Sequence, residues 1–322
     1  MQTIRFECET ITPMFMYGAD GKTAELRPAS IKGVMRFWWR AIHGNSNIKE
    51  LKEAESLIFG STKERSKVNI RVRKKEFKVK KFAEIKEKFD YLFFSIKMQN
   101  KEEPKEYFEK IKFEVILSSS DKKALTEASY SFILLSLFGG LGSRSRRGGG
   151  SFVINSISDE NYSHFLLKDI KNLNNIYEKI REYFQNTYNI SEVNNEYSTL
   201  STLNFKLSSS KNSWNEALSD IETKYKKFRK ENKLLNNASF GLPIIFEDTK
   251  NKIEVVTDPE FERRASPMTI KILKVQDTYY WLVLKLNGEF LPKGTKIKEK
   301  KDTSYKDIYQ NIVDDFLKEL RK

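Results

Sequence analysis

Apolar and polar residues alternate along residues 2–11, with Ile4, Phe6 and Cys8 set against Arg5, Glu7 and Glu9. A period of two predicts a half-buried strand, which Thr12-Pro13 ends. After a loop holding Gly18, Asp20 and Gly21 the period changes. Ile31, Val34, Met35, Trp38 and Ile42 recur at helical spacing. Pro28 announces this helix, Ser30 is its expected N-cap, and Gly44-Asn45 stop it. A short helix is predicted over Lys52–Ile58. Strands are predicted at 67–73, Tyr91–Ile96 and Phe113–Leu117. Ser118 to Asp121 cap a helix ending at Phe138. A glycine-rich loop covers 139–150, and a strand covers Ser151–Ile157. With one optional extra strand the order is β-α-β-β-α-β, the ferredoxin-like order that RRM modules share.

From residue 158 the chain turns to Asn, Ser, Tyr and Lys. Asp169–Phe184 reads as a helix and Asn186–Ser213 as a polar stretch of low periodicity. Ser213 and Glu216 form a capping box. Beyond it Trp214, Ala217, Leu218, Ile221, Tyr225 and Phe228 share one helical face. Strands are predicted at Phe240–Phe246, Ile270–Val275 and Tyr279–Leu286, and a helix at Ser304–Leu320. The expected fold is α+β: two ferredoxin-like modules, with a helical and polar insertion in the second half. The expected division is 1–157 and 158–322, which suits a chain of 322 residues.

Composition narrows the function. At 39% hydrophobic and 13% aromatic the chain is too apolar to be disordered. A single cysteine, Cys8, excludes a disulfide framework and a cysteine-rich zinc site. Two histidines, His43 and His164, leave little for a metal centre, and no cofactor is expected. No apolar run approaches the ~20 residues of a membrane span. The first residues lack a signal-peptide layout, so a soluble cytoplasmic protein with no membrane partner is expected. The formal charge is +14, of which residues 1–150 carry +11. Residues 63–81 alone hold ten Lys/Arg against two Glu. Such asymmetry points to a polyanion, most commonly nucleic acid.

Two segments could supply the contacts. On the helix after Pro28, Lys32, Arg36 and Arg40 are spaced four apart and line one stripe, flanked by Phe37 and Trp39. Cations beside aromatics suit a phosphodiester strand with unstacked bases, and Gly33 in the first turn permits close approach to the helix N-terminus. The second segment contains Gly139, Gly140, Gly142, Ser143, Arg144, Arg146 and Arg147, and no acid. Glycines there would expose N–H groups as an anion nest, and arginines fork onto phosphate. No P-loop follows, and the loop lies between a helix and a strand, unlike a dinucleotide fingerprint. Catalysis has one candidate, His43, as general acid or base of a metal-independent endoribonuclease.

The block Arg27-Pro28-Ala29-Ser30-Ile31-Lys32-Gly33 with Phe37-Trp38-Trp39-Arg40 resembles the RAMP superfamily. So do the glycine-arginine loop, Glu55–Ser61, and Arg264-Ala265-Ser266-Pro267-Met268. The likeness is greatest to the first-numbered RAMP subunits of type III-B CRISPR (Cmr) effector complexes. The resemblance implies two ferredoxin-like modules in a V-shaped unit that binds RNA without cutting it. It implies a place near the 3′ end of the CRISPR RNA, help in capturing target RNA in antiviral defence, and other Cmr subunits as neighbours. The implied RNA-binding residues are Lys32, Arg36, Arg40, Gly139, Gly140, Gly142, Ser143, Arg144, Arg146, Arg147, Arg263 and Arg264. Lys32 stands where the family is expected to carry Arg, and Gly149 where a bulkier residue would make the loop firmer.

Overall fold

The computed structural model describes residues 1–82, 91–94, 96, 105–243, 245–248, 251–261 and 263–320. Strand β1 (Gln2–Thr10) leads to helices α1 (Pro28–His43) and α2 (Ile48–Phe59). Strands β2 (Asn69–Lys81) and β3 (Glu106–Ser119) follow, then α3 (Lys122–Phe138) and β4 (Phe152–Ile157). The sheet order is β2-β3-β1-β4, with every pairing antiparallel. This is the ferredoxin-like arrangement that the alternation predicts. Alternation fixes its register: Phe6, Cys8, Phe113 and Val115 face the helices and are buried.

The second half repeats the plan around a smaller sheet. Helix α4 (Leu173–Tyr188) precedes β5 (Thr199–Leu207) and α5 (Trp214–Glu231). After β6 (Ile245–Asp248) and β7 (Asn251–Asp258) come β8 (Met268–Val275) and β9 (Thr278–Asn287). The chain continues through β10 (Lys296–Glu299), β11 (Lys306–Asp307) and α6 (Ile312–Glu319). Among the described residues the second ferredoxin-like sheet has the order β5-β9-β8, and β11-β10-β7-β6 form a separate sheet. Ser213 caps α5 by accepting from the Glu216 N–H, as the capping box requires.

Several expectations need correcting. Arg27, not Ser30, is the N-cap of α1, because Pro28 already holds helical φ at the first position. Tyr91–Ile96 is not a strand: Tyr91, Leu92 and Phe93 form a turn, and Phe94 and Ile96 are helical. Leu92, Phe93 and Ile96 are buried together with Ile221 and Tyr225 of α5. The polar stretch 186–213 hides β5: Thr199 and Leu200 are buried, but the rest of the strand is half-buried or exposed and lacks a clear apolar rhythm. Phe240 ends a 3-10 turn, and the neighbouring strand begins at Ile245. The final helix is confined to Ile312–Glu319.

The two sheets are joined by the glycine-arginine loop. The Ile270 N–H donates to the Arg146 carbonyl (3.0 Å), and the Ile272 N–H donates to Ser151 Oγ (3.1 Å). The loop thus lies along the edge of β8. One core cluster runs from α1, α3 and β1 into α4 and the Leu282–Leu286 stretch of β9. A second gathers Phe15, Leu92, Phe93, α5, β8 and α6. Among the described residues no helix is long and apolar enough to cross a membrane.

Candidate nucleic-acid interface

Helix α1 buries Ile31, Met35, Trp38, Trp39 and Ile42, which leaves Lys32, Arg36, Phe37 and Arg40 partly exposed along one stripe. Trp39 does not flank that stripe. It is fully buried, and its indole N–H donates to Glu127 (2.8 Å). Gly33 is exposed, with open space where a side chain would be. Arg36 Nε and Arg40 Nη1 both donate to Oε1 of Glu55 on α2, the Arg40 bond at 2.7 Å. The carboxylate that the stripe holds is itself buried. Burial, with Arg36 nearby, lowers the Lys32 pKa from its ordinary value.

The loop arginines divide. The Arg146 guanidinium lies over the Phe37 ring, 4.7 Å from its centroid, which brings the loop onto α1. Arg144 and Arg147 turn toward the second core. Arg144 Nε donates to the Leu92 carbonyl (2.6 Å), and Arg147 Nη2 donates to the Phe240 carbonyl (2.8 Å). Arg147 also lies over the Tyr225 ring, 5.2 Å from its centroid. Arg146 donates to the Ser266 carbonyl, and Arg264 to the Glu289 carbonyl (3.0 Å). Carbonyls fix these guanidinium groups without cancelling their charge. Among the described residues none of Arg144, Arg146, Arg147 and Arg264 pairs with a carboxylate. Burial, then the neighbouring Arg147 and Arg264, pushes Arg146 down to about 10. It stays charged at neutral pH. Arg263 is exposed.

The glycines are packed tightly, so the looser loop expected from Gly149 is not found. A Cβ on Gly139 would crowd Trp38, and one on Gly142 (φ +84) the Phe15 carbonyl. The Leu141, Ser143, Gly149 and Gly150 N–H groups are spent on carbonyls of the loop, Phe15 and Pro13. They are therefore not nest donors. Ser143 is exposed, and Gly140 packs on the Gly149-Gly150 backbone.

Part of the densest basic stretch is compensated by carboxylates. Lys75 pairs with Glu7 (2.6 Å), Lys78 with Glu109 (2.7 Å), and Lys67 with Asp121 (2.8 Å). His43 is sealed between Trp39 and Tyr188, with ring centroids 4.7 and 4.2 Å away. Neither of its nitrogens has a hydrogen-bond partner. Burial, then Lys123, lowers it to about 4. Among the described residues no cluster of His, Cys, Asp or Glu could hold a metal ion. Cys8 is buried, as its inward strand position predicts.

Sequence reading passed over Glu55 as a functional residue. Its signal was present: Leu51, Glu55 and Ile58 keep the spacing of a buried helical face, so an acid stands at a core position.

A double ferredoxin-like architecture with a cationic surface at its seam defines a class. The RAMP superfamily model matches residues 7–153. The chain is 30% identical over 306 residues to the CRISPR system Cmr subunit Cmr1-1 of Pyrococcus furiosus, covering 87% of this chain and 86% of that one. It is 37% identical over 179 residues to Cmr1-2 of the same organism, covering 48% of this chain and 96% of that one. The chain belongs to the RAMP superfamily. Its likeness within that superfamily is to the Cmr1 subunits. The crystal structure of apo Cmr1 from Pyrococcus furiosus superposes with a TM-score of 0.72 at 26% identity, covering 99% of this chain and 97% of that one. A type III-B Cmr-beta complex bound to cognate target RNA contains a chain of the same fold. It gives a TM-score of 0.62 at 15% identity, over 99% of this chain and 98% of that one.

Proposed function

We propose that this chain is a non-catalytic RNA-binding subunit of a type III-B CRISPR (Cmr) effector complex. It sits near the 3′ end of the CRISPR RNA and helps capture target RNA in antiviral defence. Its partners are the CRISPR RNA, the target RNA and other Cmr subunits, and its compartment is the cytoplasm. The same reading divides the chain at 157/158 into two ferredoxin-like modules.

One observation carries the reading: Arg146 stacks on Phe37. That contact brings the Arg146 charge beside the α1 stripe, and Arg264 lies near enough to Arg146 to lower its pKa. Lys32, Arg36, Arg40, Arg146, Arg263 and Arg264 meet the RNA backbone on this reading. The packed glycines, with Arg144 and Arg147, hold the loop in place. Phosphate contacts suit a guide-based system, because base pairing supplies sequence recognition. The ribonuclease alternative needs His43 at the RNA, and that ring is enclosed by apolar neighbours.

The test is fluorescence anisotropy of a labelled single-stranded RNA titrated with the full chain across a range of salt. Each phosphate neutralised contributes about −0.7 to the slope of log affinity against log salt. Replacing Arg36, Arg40 and Arg146 by Ala should flatten the slope by about two units. An unchanged slope and affinity would place the RNA elsewhere.

A further inference from the structure

Glu55 is buried on α2, and a buried carboxylate is unfavourable unless it is paired. It has two partners where one would neutralise it. Arg36 and Arg40, one turn apart on α1, share one of its two oxygens, Oε1. Each arginine spends one nitrogen on this bond and stays about a third exposed, at 35% and 37%. The remaining donors of both forks are available to an outside anion. Leu51, Ile58 and Phe59 are buried on the same helix, so a Leu at position 55 would pack α2 without an ion to desolvate.

We infer that Glu55 is a positioning residue: it sets the Arg36 and Arg40 guanidinium groups in one fixed geometry, so that the RNA backbone meets donors already in place. The inference rests on the RNA-binding reading above. Long arginine side chains lose rotamer freedom on binding, and a carboxylate that orders them beforehand removes that cost from the binding step.

Charge counting and positioning give opposite signs. Glu55→Gln removes an acid from a cationic surface, so electrostatics alone tightens RNA binding. Positioning weakens it, because a neutral amide oxygen holds two guanidinium groups poorly. The experiment is a double-mutant cycle on the full chain, with a labelled single-stranded RNA as the probe. It compares the wild type, Glu55→Gln, Arg36→Ala/Arg40→Ala, and all three changes together. Glu55→Gln should bind about five- to tenfold more weakly, with nearly the wild-type salt slope. Added to Arg36→Ala/Arg40→Ala, it should change affinity less than about twofold. Equal or tighter binding by Glu55→Gln overturns the inference, and so does an equal loss in both backgrounds, which marks a role in folding alone. Wild-type affinity for Arg36→Ala/Arg40→Ala would instead remove the RNA reading of α1, and this inference with it. If Glu55→Gln does not fold, Arg36→Lys/Arg40→Lys asks the same question, since it keeps both charges and loses both forks. Undiminished binding by that variant overturns the inference.

Discussion

Arg146 and Arg147 are neighbours in the chain and serve different surfaces. Arg146 reaches across the seam to Phe37, whereas Arg147 is threaded among carbonyls of Phe240 and Met268. Their replacement should therefore separate binding from stability. Arg146→Ala should reduce the salt slope by about 0.7. Arg147→Ala should leave the slope in place and lower unfolding free energy by about 1–3 kcal/mol, because it strips a partner from the carbonyls of buried Phe240 and Met268. Salt-titrated anisotropy and urea unfolding on the same preparations check both. His43 offers a pH test. Its folded pKa, about 4, lies below its ordinary 6.5, so the unfolded chain binds the extra proton between those values. Stability is undiminished above about 6.5, falls as pH drops toward 4, and loses about 3 kcal/mol over that window. His43→Phe should flatten that part of the stability profile while the Lys- and Arg-dependent RNA binding persists. At this scale the sequence displayed every charge and none of the partners. Nothing local marks Arg36 and Arg40 as sharing Glu55, or Trp39 as bonded to Glu127.

Among the elements, those with strong periodicity were legible. Helix α1 and strands β1, β8 and β9 lie where the apolar spacing puts them, within a few residues. Strand β5 was not legible, because half-buried residues on a small sheet carry no clean alternation. Leu92, Phe93 and Ile96 form an apolar run too short to separate strand from helix, and α5 packing decides the matter. The glycine loop is the element with the least tolerance. Gly150 has φ +59, and any side chain there would collide with the Leu141 carbonyl. Gly150→Ala should destabilise the chain by more than about 2 kcal/mol, read as a drop in the urea midpoint. It should also weaken RNA binding, because Arg146 leaves its place over Phe37. Wild-type stability in that variant would mean that the loop tolerates a different backbone path.

The whole molecule depends on how its two sheets meet. Lys271 on β8 is fully buried and donates to the Phe152 carbonyl on β4 (2.9 Å). Burial drives its pKa well below the ordinary lysine range. The folded state thus binds fewer protons at this group than the unfolded chain, and stability rises with pH up to the ordinary lysine value. Lys271→Met should remove that rise, measured as the urea midpoint between pH 7 and pH 10. An unaltered rise would assign it to other groups. The sequence by itself determined the β-α-β-β-α-β order of the first half, the excess of positive charge and the motifs of the family, because periodicity and composition are local properties. Tertiary structure alone decided which charges are spent and which are offered. Whether a guanidinium finds a carbonyl, a buried glutamate or open solvent depends on residues far away in the chain, brought near only when the sheets close on one another.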